Sequence, residues 1–336
     1  MTTQPSLGAD RRAGLLAVKL GALVRDHLGD AERAPASFSG GAALVDAERR
    51  AWILLDNPAV GVGACMAWAA KHDVARLDVL VDAGPGAGAA ARRAAYFASP
   101  PTVWAVEGRA LVPAAVEALV PHDPAPAEAL AAAAPLAEAG VEMVVEHGVV
   151  LGEILGLEVA RVVPAEGGGW RLEVGVGRFD REAFTALEGV RTTEEALATT
   201  VAVVREHRRP EARPHLLNRL ARERWLRADA LADPARVGAV RLAPIGGPTP
   251  RASLNEASPA FALGADSQDR ALVVGFGVGV DLELAPDTAD AAALASPGAR
   301  LVLATPSRDR YPALEAVAAA LAAPAEVVTV EGSWPA

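Results

Sequence analysis

Short apolar runs alternate with helical patterns along residues 42–107. The first two runs flank a polar turn and predict a β-hairpin, and the later runs predict single strands separated by helices. Strands are predicted at Ala42–Val45, Ala51–Leu55, Leu77–Val81 and Thr102–Val106, and helices at Gly61–His72 and Gly88–Ala98. The order ββαβαβ predicts a mixed sheet with helices packed against it.

The last segment of the chain repeats this pattern. Its strands are predicted at Phe261–Leu263, Ala271–Val274, Arg300–Ala304 and Glu326–Val330, and its helices at Asp287–Ala295 and Tyr311–Ala322. Both copies place an aspartate after the first hairpin strand, Asp46 and Asp266, and both end in Val-Glu-Gly, at Glu107 and Glu331. Internal duplication is therefore predicted. The alternative is two ordinary α/β segments that look alike because alanine and valine dominate both.

The segment between the copies has a different pattern. Strands are predicted at Ile154–Val163 and Trp170–Val176, and helices at Ala127–Gly140 (bent at Pro135), at Thr193–His207 (capped by Thr192 or Thr193) and at Leu216–Leu231. Stretches rich in proline separate it from both copies. The predicted fold class is thus α/β, with two similar ββαβαβ units around a middle α+β segment. The predicted domains are 1–112, 127–242 and 260–336.

Composition limits the classes of protein that this chain can belong to. The chain has 336 residues, a formal net charge of −10 and a single cysteine, Cys65. One cysteine excludes a disulfide framework and a cysteine-built zinc site. The apolar stretch Leu15–Val24 predicts an amphipathic helix rather than a signal peptide, because Lys19 interrupts it and charged residues follow it. No apolar run is long enough to span a bilayer. We therefore expect a cytoplasmic protein that does not enter the membrane.

The hairpin acids resemble those of the restriction-endonuclease-like (PD-(D/E)XK) nuclease core, in which an Asp ends one strand and an acid-X-Lys triplet lies on the next. The resemblance implies a divalent metal on Asp46 and Asp56, and a lysine that places the attacking water, for which Lys71 is the candidate. The triplet, however, reads Asp56-Asn57-Pro58 in the first unit and Gly275-Phe276-Gly277 in the last. The motifs are degenerate, so no metal-dependent cleavage is expected. Asp46 and Asp266 alternatively serve as turn-forming residues.

A second motif lies after the strand Leu77–Val81. The sequence Gly84-X-Gly86-X-X-Ala89 opens a helix, and Glu107 ends the next strand. This arrangement resembles the dinucleotide-binding fingerprint of Rossmann-type proteins, in which glycines admit a pyrophosphate and an acid binds the ribose. The resemblance implies an enzyme that uses FAD or NAD. The alternative is a glycine-rich connection between a strand and a helix.

Arginines concentrate between Arg205 and Arg227, a stretch that contains eight arginines and three glutamates. On the predicted helix Leu216–Leu231, three of them fall within one broad face, and an indole in the same helix is available to stack on a base. These candidate anion-binding residues are Arg219, Arg222, Arg227 and Trp225. The alternative is pairing of the arginines with acids of this chain or of a second copy.

The acids of the middle segment are expected to be structural. Glu142 and Glu146 lie one turn apart if that stretch is helical, but no Glu-X-X-His pair follows them, and Glu158 and Arg161 fit a partly buried ion pair. The sequence thus favours a non-catalytic binding or scaffold protein with degenerate nuclease-like units. We expect it to be associated with nucleic-acid metabolism and to bind nucleic acid weakly. We expect no resident cofactor or metal, and a homo-oligomer or a protein partner. The substrate or ligand stays open.

Overall fold

The computed structural model describes residues 7–56, 61–186, 192–251 and 253–333. Within these ranges the protein is mixed α/β, with three sheets flanked by helices, and the predicted fold class is confirmed. Each sheet takes its strands from one stretch of the chain. Within the same ranges, no helix combines the length and the apolar composition that a membrane span requires.

The first sheet has six strands in sequential order, β1 to β6. The predicted hairpin is β2–β3, the strands β3, β4 and β5 run parallel, and β6 returns antiparallel. The helices of this region begin earlier than predicted, at Leu7 and Pro85. The elements are α1 (Leu7–Leu28), β1 (Ala34–Ala36), β2 (Gly41–Val45), β3 (Arg50–Leu55), α2 (Val62–Lys71), β4 (Arg76–Asp82), α3 (Pro85–Ala94), β5 (Thr102–Glu107) and β6 (Ala110–Pro113).

The apolar face of α1 explains why this helix packs on the sheet. Leu20, Leu23 and Val24 of α1 are buried in one cluster with Leu54 and Leu80 of β3 and β4. Parallel strands connected by right-handed crossovers carry their helices on the sheet faces, so β3 and β4 are buried along nearly their whole length. This packing leaves the carboxyl ends of β3, β4 and β5 at one edge of the sheet.

The middle sheet is an antiparallel meander, β7 to β10. The strand predicted at Ile154–Val163 is confirmed from Leu157 onward as β9 and is wrong at its start, because Leu155 and Gly156 form a tight turn with φ of 47° and 73°. Glu142 and Glu146 lie on a strand rather than a helix. The elements are α4 (Ala127–Ala132), α5 (Ala134–Glu138), β7 (Glu142–Glu146), β8 (Val149–Ile154), β9 (Leu157–Pro164), β10 (Trp170–Val174), α6 (Gly177–Ala186) and α7 (Thr193–His207).

Two local predictions in this segment are confirmed. The helix predicted at Ala127–Gly140 is interrupted at Ala133, two residues before Pro135, as expected for a residue that cannot donate a backbone hydrogen bond. Thr192 caps α7 through a capping box with Glu195, whose backbone N–H donates to the Thr192 hydroxyl at 3.2 Å.

The predicted arginine-bearing helix Leu216–Leu231 is wrong in its first half. Residues Leu216–Arg219 form a 3-10 turn, Ala221 adopts a left-handed conformation with φ of 45°, and α8 spans Arg222–Ala232. A residue other than glycine in this conformation interrupts helical periodicity. Arg219 and Arg222 therefore do not share a helical face.

The last sheet has the strand order β11 to β15. The strands β11, β12 and β13 are antiparallel neighbours, and β13 and β14 run parallel. Strand β11 falls partly in the stretch that the sequence predicts to be a connection. The elements are β11 (Arg241–Ile245), β12 (Ala260–Ala265), β13 (Ala271–Phe276), α9 (Leu284–Ala295), β14 (Arg300–Thr305), α10 (Pro312–Ala320) and β15 (Glu326–Thr329).

The first five strands of the first sheet and the five strands of the last sheet follow the same sequential order, and the two sheets share the geometry of their hairpin turn. Asp46 Oδ1 accepts the Arg50 backbone N–H at 2.9 Å, and Asp266 Oδ1 accepts that of Arg270 at 3.0 Å. The residue before each of these arginines has a positive φ, 60° at Arg49 and 58° at Asp269. Common ancestry of the two units stays a prediction.

The described chain divides into two compact units. One comprises Met1–Ala118, Asp281–Ala289 and Tyr311–Glu326, and the other comprises Leu119–Val280, Asp290–Arg310 and Val327–Ala336. The three predicted domain ranges stay a prediction.

Candidate functional site

An open groove lies at the carboxyl ends of β4 and β5, beside the first turn of α3. Its volume is about 410 Å³, which is within the range of small-molecule sites. The groove is lined by Ala83, Gly84, Ala87, Gly88, Ala105, Glu107, Val112, Pro113, Ala114, Ala115 and Glu117. In open α/β sheets, ligands bind outside the carboxyl ends of the parallel strands, so this groove is the candidate functional site.

The backbone after β4 builds the floor of the groove. Gly84 has φ of 152°, a conformation that side chains rarely allow, and Pro85 occupies the first position of α3. Pro85 has no N–H, and the Ala87 N–H donates to the Gly84 carbonyl at 3.2 Å. The first turn of α3 therefore offers fewer free N–H groups to an anion than a Rossmann-type helix does.

The structure places two of the four predicted dinucleotide-binding residues in the groove. Gly84 and Glu107 line it, and both are exposed. Gly86 and Ala89 lie within α3, half-buried, and do not form its wall. The motif is thus only partly assembled.

Two wall residues, Gly88 and Glu117, were not among the predicted site residues. A Cβ at Gly88 would lie 2.7 Å from the Glu117 Cβ, so the glycine allows the segment after β6 to cross α3. The Glu117 backbone N–H donates to the Gly88 carbonyl at 3.2 Å. The only sequence signal was the spacing of Gly84 and Gly88, which alanine-rich surroundings make hard to recognise. The groove therefore carries two exposed carboxylates, Glu107 and Glu117, which accept hydrogen bonds from hydroxyl or amine donors.

The other acids at this edge are neutralised by α1. The Arg12 guanidinium binds Asp56 with an Nε–Oδ2 distance of 2.6 Å, and the Lys19 ammonium lies 2.6 Å from Asp82. Asp56 comes two residues after Leu54 and Asp82 two residues after Leu80, and these leucines are paired on β3 and β4. The two acids therefore lie on neighbouring strands, each with its own cation.

The structure does not bring Asp46 and Asp56 together. Asp46 belongs to the β2–β3 turn, whereas Asp56 follows the far end of β3, about 20 Å away at about 3.3 Å per residue. Lys71 is exposed at the end of α2. Asn57 and Pro58 lie outside the described residues. Among the described residues, no group of three or more His, Cys, Asp or Glu side chains is placed to hold a metal ion.

Two of the four predicted anion-binding residues are inside the protein. Trp225 and Arg227 are 0% and 1% exposed, so neither reaches a nucleic acid at the surface. The Trp225 Nε1–H donates to the Ser333 hydroxyl at 2.8 Å. Arg219 is exposed and Arg222 half-buried. The predicted arginine face is therefore corrected: burial leaves Arg219 and Arg222 as its accessible members.

Arg227 belongs to a buried network of two arginines and two glutamates. Arg224 Nη1 and Arg227 Nη2 lie 2.8 Å and 2.9 Å from the two carboxylate oxygens of Glu153, and both arginines also bind Glu146. Burial alone would raise the pKa of Glu153, but the charges of Arg227 and Arg224 hold it below its ordinary value. The alternative of internal pairing thus holds for these arginines. The predicted Glu158–Arg161 ion pair is also present, at 2.7 Å.

Arg208 is buried among backbone carbonyls. Its guanidinium donates to the carbonyl oxygens of Leu155, Leu217, Leu220 and Ala221, and it lies 4.3 Å from the Trp225 ring centre. Burial lowers the pKa of Arg208 to about 9. This side chain therefore fixes the irregular segment before α8, and it is not available to a ligand.

Glu283 is a buried acid with a strongly raised pKa, and its carboxyl group lies at the start of α2. Glu283 Oε1 accepts the Ala64 backbone N–H at 3.0 Å, and a Cβ on Gly61 would lie 2.2 Å from Glu283 Oε2. Arg93 Nη1 is 3.8 Å from that oxygen. Burial raises the pKa of Glu283 to about 7, and the charge of Asp287 adds to it. The hydrogen bond between Ala64 and Glu283 joins residues that are more than 200 positions apart in the sequence, so no local pattern indicated it.

No family model, curated protein or solved structure matches this chain. The geometry of the groove and of the charged side chains is therefore the basis for a functional proposal.

Proposed function

We propose that the protein is a non-catalytic binding or scaffold protein built on nuclease-like units. The observation that supports this most directly is the use of the hairpin acids. Asp46 accepts the backbone N–H of Arg50, the first residue of β3, and Asp266 accepts that of Arg270, the residue before β13, so each carboxylate serves a turn. A nuclease site needs two acids within reach of one metal ion, and the separation of Asp46 and Asp56 along β3 does not provide that.

Weak binding of nucleic acid is part of this proposal. Arg219 is exposed and Arg222 is half-buried, while Arg224 and Arg227 are engaged by Glu146 and Glu153. These two members of the predicted set support few phosphate contacts, and the chain carries a net charge of −10. Binding through them is sequence-independent and falls with salt.

The first prediction concerns plasmid DNA. The full chain, incubated with supercoiled DNA and Mg²⁺ or Mn²⁺, should leave the DNA intact, because Asp46 and Asp56 do not converge on one metal position. A native gel at low and physiological salt should show weak binding that salt removes and that Arg219→Ala with Arg222→Ala reduces. Asp46→Ala is the matched control. Metal-dependent nicking that disappears in Asp46→Ala, or tight binding that salt does not weaken, would overturn the proposal.

Dinucleotide binding is the second candidate function, and one observation favours it. Gly84 and Glu107, distant in sequence, line the same groove at the edge where α/β proteins bind nucleotides. In this proposal Glu107 accepts hydrogen bonds from the ribose hydroxyls, and the backbone at Gly84 admits the phosphates. The bound dinucleotide would supply hydride-transfer chemistry.

This candidate is tested by equilibrium titration of the protein with FAD and with NAD, and by absorbance of any cofactor released on denaturation. If a dinucleotide binds, Glu107→Ala should weaken its affinity by about 10- to 100-fold, because a hydrogen bond to a charged group is lost. Glu48→Ala changes an exposed acid of the β2–β3 turn and should have no effect. Failure of both dinucleotides to bind removes this candidate and leaves the binding-protein proposal untouched.

A further inference from the structure

Arg251 has a buried N–H group without an acceptor. Its side chain is 7% exposed, Nη2 donates to the Ser258 carbonyl at 2.7 Å, and Nη2 lies 3.6 Å from Glu223 Oε2. Nη1 is buried and has no hydrogen-bond acceptor among the described residues. Buried guanidinium groups are normally satisfied at every N–H. The position facing Nη1 is therefore suited to an acceptor that the chain itself does not supply.

A small cavity lies at this guanidinium. It is lined by the end of β7, the end of β11 and the loop that leads into β12, and its polar wall includes Arg224, Arg251, Thr249 and Glu146. Both carboxylate oxygens of Glu146 are already engaged by Arg224 and Arg227. The cavity admits a particle about the size of one water molecule or one halide ion. Carboxylates and phosphates are too large for it.

The ion pair of Arg251 is long, and this leaves its Nη1 suited to a charged acceptor. Glu223 is the acid paired with Arg251, but its distance of 3.6 Å is long, and burial raises the pKa of Glu223. Arg224 also lines the cavity and is itself paired with Glu146 and Glu153. Arg251 therefore has one distant carboxylate and one N–H without an acceptor among the described residues.

We propose that this cavity binds a single halide-sized monovalent anion between Arg251 and Arg224. The anion accepts the hydrogen bond of Arg251 Nη1 and adds a close negative partner to the distant carboxylate of Glu223. Its role is independent of dinucleotide binding in the groove beside α3, because all of its residues lie in the second compact unit.

Chloride NMR linewidths of the full chain test this site. Wild-type protein should broaden the chloride signal relative to buffer without protein. Added bromide should reduce this extra linewidth, because it competes with chloride for the site. Arg251→Met should lose it. Arg241→Met should keep it, because Arg241 is an exposed arginine that pairs with Asp269. Equal broadening by wild type and Arg251→Met means that water fills the cavity, which overturns the proposal.

A second measurement decides the case in which Arg251→Met does not fold. Crystals of the wild-type protein grown in sodium bromide should give an anomalous peak within hydrogen-bond distance of Arg251 Nη1. A featureless cavity in those crystals, with bromide present elsewhere on the surface, contradicts the proposal.

Discussion

Replacing Glu153 with glutamine should lower the free energy of unfolding by about 3–5 kcal/mol. The carboxylate is fully buried and bridges Arg224 and Arg227. An amide keeps the shape of the side chain but supplies a single acceptor and no charge, so two buried guanidinium groups would share Glu146 alone. Urea denaturation followed by circular dichroism measures this effect.

The pH dependence of stability gives a second measure of the same network. The pKa of Glu153 is lowered in the folded protein, so its contribution is present above the ordinary glutamate pKa and is lost as pH falls through the folded value. Wild-type protein should therefore lose stability on acidification, and Glu153→Gln should lose less. Glu182→Gln is the control, since Glu182 pairs with Arg178 on the surface and its replacement should leave the urea midpoint unchanged. Similar losses in the two variants would refute the role of the network.

Glu283→Gln should act in the opposite direction and make the protein more stable at alkaline pH. Burial raises the pKa of Glu283 to about 7, so the folded protein holds a proton that the unfolded chain releases near pH 4.5. Stability supplied by this proton is complete below the unfolded pKa and is lost as pH rises through 7. The glutamine copies the protonated form, and its carbonyl keeps the hydrogen bond from Ala64. At pH 8 the gain should reach about 3 kcal/mol, from 1.36 kcal/mol per pKa unit.

Unfolding curves of wild type and Glu283→Gln between pH 5 and pH 8.5 check this expectation. The difference between them should grow with pH and approach its limit above pH 8. The charged groups that face Glu283 are Arg93, Asp281 and Asp287, and the variant leaves all three in place. Glu48→Gln, in the exposed β2–β3 turn, should show no growing difference. A constant offset across the pH range, or a loss of stability at pH 8, would be incompatible with a buried acid of raised pKa.

The local pattern of the sequence was sufficient for the elements that depend on nearby residues. The hairpin β2–β3 was predictable because apolar alternation and a polar turn are both local, and the start of α7 was predictable because a capping box spans four residues. The Glu158–Arg161 pair lies within one strand. The edge of the sheet that carries Gly84 and Glu107 also followed from strand order, because parallel strands end on the same side.

What the sequence could not determine depends on residues that are far apart along the chain. The arginines of Arg205–Arg227 have the same local pattern whether they face solvent or acids. Only the tertiary structure decided that Arg224 and Arg227 meet Glu146 and Glu153, because β7 and β8 bring those acids beneath α8. The left-handed Ala221 is likewise fixed by Arg208, which binds carbonyls on both sides of it. The sequence by itself determined the strands and helices whose signals are local. Tertiary contacts decided the break before α8 and which charges are buried, because the cost of burying a charge is offset only by partners that the fold supplies.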